Sequence, residues 1–266
     1  MDQSGAGRRL LEVIQRIAEG HYSDDIMDLT RDEVPETIRA VAEAMGMMMV
    51  KVEAREYRLQ QLIGQLEELN RVIRDNAIAV VSAMAQALAA RNAYTEGHAS
   101  RVAALAEAVA RRLGLDDGQV EHVRLGGMLH DIGKIGFSDR LFEEHGQKNP
   151  PELVKIILSH PETGWRILGG LYFLGPSLEY VRCHHERLDG SGYPRGLKAP
   201  DIPLGAQIIA AADGYDAMTT DRPYQRGMDR AVALANLRRQ CPRRLSAEVV
   251  EALAQVVEGG ERGPDE

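Results

Sequence analysis

The stretch HHERLDGSGYP, His184 to Pro194, sets two adjacent imidazoles and Glu186 just ahead of a turn built on Gly190, Gly192 and Pro194. A turn needs the glycines and the proline but has no use for the imidazoles. Three further histidines occur in short polar or apolar contexts: His98 in YTEGHASRV, His130 in LHDIGK and His160 in ILSHPETG. Taken alone, His98 at a helix start or His160 before a proline reads as a capping or surface residue. The doublet His130-Asp131 is different. On a helix within the apolar run LGGMLHDIGKIG, it places two polar groups beside a core, which is costly unless a cation or hydrogen bonds satisfy them. Imidazole plus carboxylate is a donor mixture suited to first-row divalent ions. Asp213, which ends the apolar helical stretch IIAAAD, raises the same question. Its bland alternative, a C-terminal helix residue beside Gly214, ranks below metal ligation in this company.

His98, His130-Asp131 and Asp213 together resemble the H…HD…D pattern of the HD phosphohydrolase superfamily, and HHERLDGSGYP resembles the extended signature of its HD-GYP branch. YTEGH, LHDIGKIG, HHERLDGSGYPRGL and IPLGAQIIAAADGYDAMTTDRPY stand in that branch's order over about residues 80 to 255. The resemblance implies an all-α fold, an HD-domain helical bundle with a GYP loop. It also implies a metal-dependent phosphodiesterase of bacterial second-messenger signalling that hydrolyses cyclic di-GMP to pGpG or GMP.

On that resemblance, His98, His130, Asp131 and Asp213 hold one ion, His160, His184 and His185 justify a second, and Asp131 bridges them. Two divalent ions against two ligand carboxylates leave about two positive charges, apt for polarising a phosphodiester and activating a water. Fe or Mn is expected, with Ni or Zn as alternatives. Lys134, one helical turn after Asp131, joins it as a catalytic residue that stabilises a phosphate oxygen or leaving group. The turn Gly192-Tyr193-Pro194 shapes the substrate pocket and contacts partners, with Asp189 holding it by hydrogen bonds. Glu186 either orients a ligand imidazole or pairs with an arginine.

Departures from the family pattern concern nuclearity and substrate. Tyr94 stands where three-metal members carry a glutamate, and Glu96 is two residues off, so a two-metal centre is expected. Arg222 matches a substrate-binding arginine, but the basic residue expected three positions later is Gln225, which Arg226 replaces only with a backbone shift. Ser138, Glu144 and His145 interrupt another family segment, and Leu245-Ser246-Ala247 replaces FDP. Two alternatives follow: hydrolysis of another cyclic dinucleotide, or a low-turnover sensor of such nucleotides.

The elements that position these groups are expected to be helical, because aromatics are only 5% while Ala, Leu, Val, Glu and Arg fill long segments between glycines. LLEVIQRIAEG reads as a helix stopping at Gly20, SDDIMDLTRDEVPE as an extended connector, and a second short helix starts near Pro35. This pattern resembles a HAMP-like signalling segment over residues 1–56. Leu59, Leu62, Leu66, Leu69, Ile73, Asn76 and Val80 alternate by three and four, the seam of a coiled-coil linker over 57–76 that makes a parallel homodimer. The competing reading packs that stripe, from Ile73 onward, on the chain's own HD-GYP domain at 77–258. Residues 259–266 read as a disordered tail. No apolar run approaches the ~20 residues of a membrane span, no secretory segment opens the chain, and two cysteines fit a reducing compartment, so a cytoplasmic protein is expected. A net charge of -8 disfavours nucleic acid as a partner.

Overall fold

The computed structural model describes residues 3–21, 24–89, 97–137, 150–221 and 226–259. It divides into two compact units, Met1–Arg74 and Asp75–Glu266.

In the first unit, α1 (Gln3–Ala18) and the early part of α2 (Glu36–Ala89) enclose Val13, Ile26, Leu29, Ala42 and Met49. The segment expected to be an extended connector is instead a 3-10 helix over Asp24–Thr30. Ile26 and Leu29 are both apolar, and a 3-10 turn brings residues three apart onto one side, where these two are buried. The second helix is not short. It runs unbroken for 54 residues, so both expected divisions, after residues 56 and 76, fall inside it. The seam residues Leu59, Leu62, Leu66, Leu69, Ile73 and Val80 are between 40% and 59% exposed. Within the second unit the seam residue Val80 does not pack as the competing reading had it, being 59% exposed; Ile78, Val81 and Ala85, on a different face of α2, join the cluster of Leu125, Leu129 and Leu174 in that same unit.

Among the described residues the regular structure of the second unit is helical, and its one extended pairing is an isolated bridge between Asp189 and Lys198. Its helices are α3 (His98–Arg112), α4 (Asp117–Leu129), α5 (Pro151–Leu158), α6 (His160–Leu168), α7 (Ser177–Cys183), α8 (Leu204–Thr219), α9 (Arg230–Arg238) and α10 (Ala247–Gly259). The main core joins α3, α4, α8, α9 and α10 through residues such as Val109, Val123, Ile208, Leu234 and Leu253. α4 opens with a reciprocal cap in which the Asp116 carboxylate accepts from Gln119 N and the Gln119 amide oxygen accepts from Asp116 N. α8 lies at the centre, with Ala210, Ala211 and Ala212 all buried, so that a polar residue following them is carried inside the bundle. No described helix is long and apolar enough to cross a membrane. Cys183 and Cys241 are free thiols.

Candidate metal centre

The seven expected ligands converge from the ends of four α-helices, the 3-10 turn that follows one of them, and one helix interior. His98 is the first residue of α3, and His160 the first of α6. His130 and Asp131 do not share a helix as expected. α4 ends at Leu129, His130 caps it, and Asp131 sits at φ -97°, ψ 3° before a 3-10 turn at Ile132–Gly136. That turn still places Lys134 beside Asp131, with Nζ 2.6 Å from Oδ2. Gly133 is required there: a Cβ would lie 2.0 Å from the His160 carbonyl oxygen, so only glycine lets the turn lie against the start of α6. His184 caps α7, and His185 follows. Asp213 lies within α8, which continues to Thr219, rather than at its end.

These residues form two clusters, His98 with His130 and Asp131, and His160 with His184 and His185, whose ligand atoms lie within 4.8 Å of one another. Asp213 Oδ1 is 3.3 Å from His98 Nε2 and 4.0 Å from His130 Nε2. Asp131 faces both clusters, with Oδ2 3.5 Å from His130 Nε2 and Oδ1 3.4 Å from His160 Nε2.

One device orients three of the imidazoles. The last carbonyls of a helix lack intrahelical donors, and each of these rings takes one by donating from Nδ1: His130 to Gly127 O at 2.8 Å, His160 to Ile157 O at 2.7 Å and His184 to Val181 O at 2.7 Å. A carbonyl can only accept, so Nδ1 carries the proton and Nε2 presents a lone pair to the interior. Burial, with help from neighbouring imidazoles, lowers His184 well below the usual range, while His185 falls to about 3 and His160 to about 4, burial again leading. Two consequences point to a cation. His160 Nε2 and His184 Nε2 face each other at 3.3 Å, two acceptors with no proton between them. His130 Nε2 is buried and has no hydrogen-bond partner among the described residues. Burial opposes charge on Asp131, yet Lys134, His130 and His160 hold its carboxyl well below the usual range, and Asp213 is lowered to about 2 by His98 against the same penalty. Both carboxylates are therefore ionised. The donor set fits divalent transition metals.

An HD domain family model matches residues 82–249, more than half of the chain. The chain belongs to the HD domain family. A cyclic di-GMP phosphodiesterase from Thermotoga maritima is 38% identical over 168 residues, which cover 62% of this chain and 45% of the relative. A 3'3'-cGAMP-specific phosphodiesterase 3 from Vibrio cholerae is 36% identical over 160 residues, covering 58% and 34%. The chain thus spans less than half the length of these two relatives. Among solved structures, an HDG"Y"P protein from Bdellovibrio bacteriovorus superposes with a TM-score of 0.52 at 22% identity, over 70% of this chain and 62% of that one, a likeness of fold.

Beside this HD domain's clusters, the GYP loop folds back on the histidine pair. Tyr193 stacks on His185 with ring centroids 4.7 Å apart and planes 27° apart. Gly192 approaches so closely that a Cβ would lie 2.4 Å from Arg187 N and 2.5 Å from His185 O. Pro194 follows in a cis peptide with Tyr193. Glu186 takes neither expected role: its buried carboxylate accepts from Arg195 N at 2.7 Å and Leu197 N at 2.9 Å, tying the far side of the loop to the histidine pair. Asp189 accepts from Ser191 N and Oγ, as expected of a loop-holding residue. Arg226 is exposed. Arg222, Gln225, Tyr94, Glu96, Ser138, Glu144 and His145 lie outside the described residues.

Two residues of this HD domain were missed from the sequence. Asp216, buried on α8, accepts from His98 Nδ1 at 2.7 Å and from Arg101 Nε and Nη2 at 2.6 and 3.0 Å. Burial opposes protonation of His98, but Asp213 and Asp216 outweigh it and raise the imidazole to about 9, so loading this ligand with a metal releases a proton. The available signal was spacing: Asp213 and Asp216 are three apart on one helix, as are His98 and Arg101 on another.

Proposed function

We propose that this HD domain hydrolyses the phosphodiester bonds of cyclic di-GMP, giving pGpG or GMP, as a cytoplasmic enzyme of second-messenger signalling. The observation that carries the reading is Asp131, whose two carboxylate oxygens each face a different histidine cluster at 3.5 and 3.4 Å. His98, His130, Asp131 and Asp213 would hold one ion and His160, His184 and His185 the other, with Asp131 shared. Fe or Mn suits these donors, and Ni or Zn is accepted by the same set. When bound, divalent ions supply Lewis acidity and a deprotonated water. The chain's own residues do the rest. The helix-end carbonyls keep three Nε2 atoms aimed inward, Asp216 fixes His98, and Lys134, held 2.6 Å from Asp131, presents an ammonium to the charge that develops on phosphate oxygens. Tyr193, carried on Gly192 and Pro194, gives the pocket an aromatic wall against a base, and the residue types of Arg222, Gln225 and Arg226 suit contacts to the nucleotide.

The relatives named cyclic di-GMP and 3'3'-cGAMP phosphodiesterases support a cyclic dinucleotide. Gln225 in a position expected to be basic favours, as a second reading, a mixed cyclic dinucleotide over cyclic di-GMP. The exposed seam of α2 supports a parallel homodimer, and the GYP loop is the surface proposed for a signalling partner. The test is hydrolysis of cyclic di-GMP and 3'3'-cGAMP by protein reconstituted anaerobically with Mn or Fe, with metal counted on the same samples and Asp131→Ala alongside. About two ions per chain and turnover that disappears in the variant support the reading. A clear rate preference for 3'3'-cGAMP replaces the substrate, and tight binding without turnover in metal-replete protein replaces the enzyme with a sensor.

A further inference from the structure

Four of the candidate ligand imidazoles have Nδ1 held by an acceptor: His130, His160 and His184 by helix-end carbonyls, and His98 by Asp216. His185 is the exception. Among the described residues nothing forms a hydrogen bond with its imidazole, and only its backbone carbonyl is engaged. A ligand histidine usually has its second ring nitrogen bonded, which fixes the plane of the ring. Without such a bond the torsion about Cβ–Cγ is broad, and metal binding must freeze it.

The ring is held instead by stacking. Tyr193 lies over it with centroids 4.7 Å apart and planes 27° apart. The other rings around His185 are His184, at 4.1 Å and 43°, and His160, at 5.0 Å and 82°, both members of the same ligand cluster. Tyr193 is therefore the neighbouring ring that stands outside the donor set. Backbone contacts put it there. Tyr193 N donates to His185 O at 3.3 Å, and Gly192 permits the approach because a Cβ would lie 2.5 Å from that same oxygen. Beyond the turn, the Glu186 carboxylate holds Arg195 N and Leu197 N. The loop is thus tied to His185 and its neighbour on both sides of the tyrosine. A ring that only filled space could meet His185 at any angle, whereas the near-parallel arrangement is one that aromatic pairs prefer.

We propose that Tyr193 is a positioning residue of the metal centre: stacked on His185, it fixes the plane of the ligand imidazole that lacks a hydrogen-bonded brace, so that the ion held by His160, His184 and His185 depends on the GYP loop. The proposal rests on the metal-binding part of the reading above and is independent of the substrate.

The test uses the full chain, stripped of metal and titrated with cobalt(II) in competition with a chelator of known affinity. Visible absorption reports the coordination of each ion. Wild type, His185→Ala, Tyr193→Leu and Tyr193→Phe are compared, with the melting temperature of each metal-free protein measured beside them. His185→Ala identifies the ion that this histidine holds. Tyr193→Leu is expected to weaken that same ion by about tenfold, change its absorption band and leave the other ion within about twofold of wild type. Tyr193→Phe keeps the ring and should bind both ions as wild type does. Wild-type affinity for that ion in Tyr193→Leu overturns the proposal. Equal weakening of both ions with a lower metal-free melting temperature also overturns it, because the ring then only packs the loop. Tyr193→Phe as weak as Tyr193→Leu assigns the effect to the hydroxyl and removes the stacking argument. If His185→Ala leaves both affinities unchanged, the ligand assignment fails and the proposal with it. Loss in His185→Ala without loss in Tyr193→Leu keeps the metal centre and removes the role of Tyr193 alone.

Discussion

Asp216→Asn isolates what the carboxylate behind His98 contributes. Asp216 receives three hydrogen bonds, two of them from Arg101 at 2.6 and 3.0 Å and one from His98 Nδ1 at 2.7 Å. Hydrogen bonds to charged groups contribute about 1.5–3 kcal/mol each when sheltered. The Arg101 side chain is 43% exposed, so water replaces much of what it loses and its share falls towards the low values of surface pairs. The His98 bond lies inside the protein and has no such replacement. Asparagine keeps one acceptor oxygen, but its amide NH2 must face either the imidazole N–H or the guanidinium, two donors. The net loss of folding stability should be about 2 kcal/mol, read as a lower urea midpoint with an unchanged slope. Loss of the partner that fixes a ligand imidazole commonly weakens metal affinity by about 10- to 100-fold. Competition with a chelator of known affinity should therefore show one of two ions weakened and the other retained. If both affinities stay within about twofold of wild type while stability falls as expected, Asp216 only braces α3 against α8 and the positioning argument is wrong.

Lys134→Ala removes the ammonium proposed to meet the developing charge together with its 2.6 Å ion pair to Asp131, and at saturating metal, with metal content measured on the same preparation, should lose about 100- to 1000-fold in kcat. Glu186→Ala leaves two loop N–H groups without their acceptor and should cost about 2–4 kcal/mol in a urea titration. Gly192→Ala forces a Cβ against backbone of residues 185–187 and should cost about 1–3 kcal/mol, with the His185–Tyr193 stack disturbed as seen by near-ultraviolet circular dichroism. Chelation should lower the melting temperature: at free metal 100 times its Kd, each ion stabilises by about 2.7 kcal/mol, and an unchanged melt would remove the metals from the folded state's account. Leu66→Glu with Leu69→Glu should reduce the mass measured by light scattering from dimer to monomer.

Much of the helical architecture was legible because composition and period agree. The exceptions have local causes. SDDIMDLT contains the polar residues of a connector, but Ile26 and Leu29, three apart, need one buried side, and a 3-10 turn provides it where an extended strand would expose one of them. The heptad seam was visible as a pattern, yet pattern does not say what covers a stripe. In the second unit Val80 stays exposed, and Ile78, Val81 and Ala85 pack into its core from another face of the same helix.

The site shows a sharper division between what residue types reveal and what only packing reveals. Histidines, Asp131 and Asp213 are conspicuous because burying them needs a reason. Asp216 and Arg101 were less visible, since a carboxylate near a helix end and an arginine on a helix look like ordinary surface pairing until α3 and α8 are packed together. The tautomers were beyond the sequence altogether. They depend on the carbonyls of Gly127, Ile157 and Val181, each of which accepts from a histidine Nδ1 at the end of its helix. This has a physical consequence. Because the last turns of α4, α5 and α7 hold the imidazoles, ligand geometry is tied to where those helices stop and dock. A substitution that extends or frays one of these ends should therefore weaken metal binding without touching a ligand, and by the same dependence ions held there would clamp the bundle.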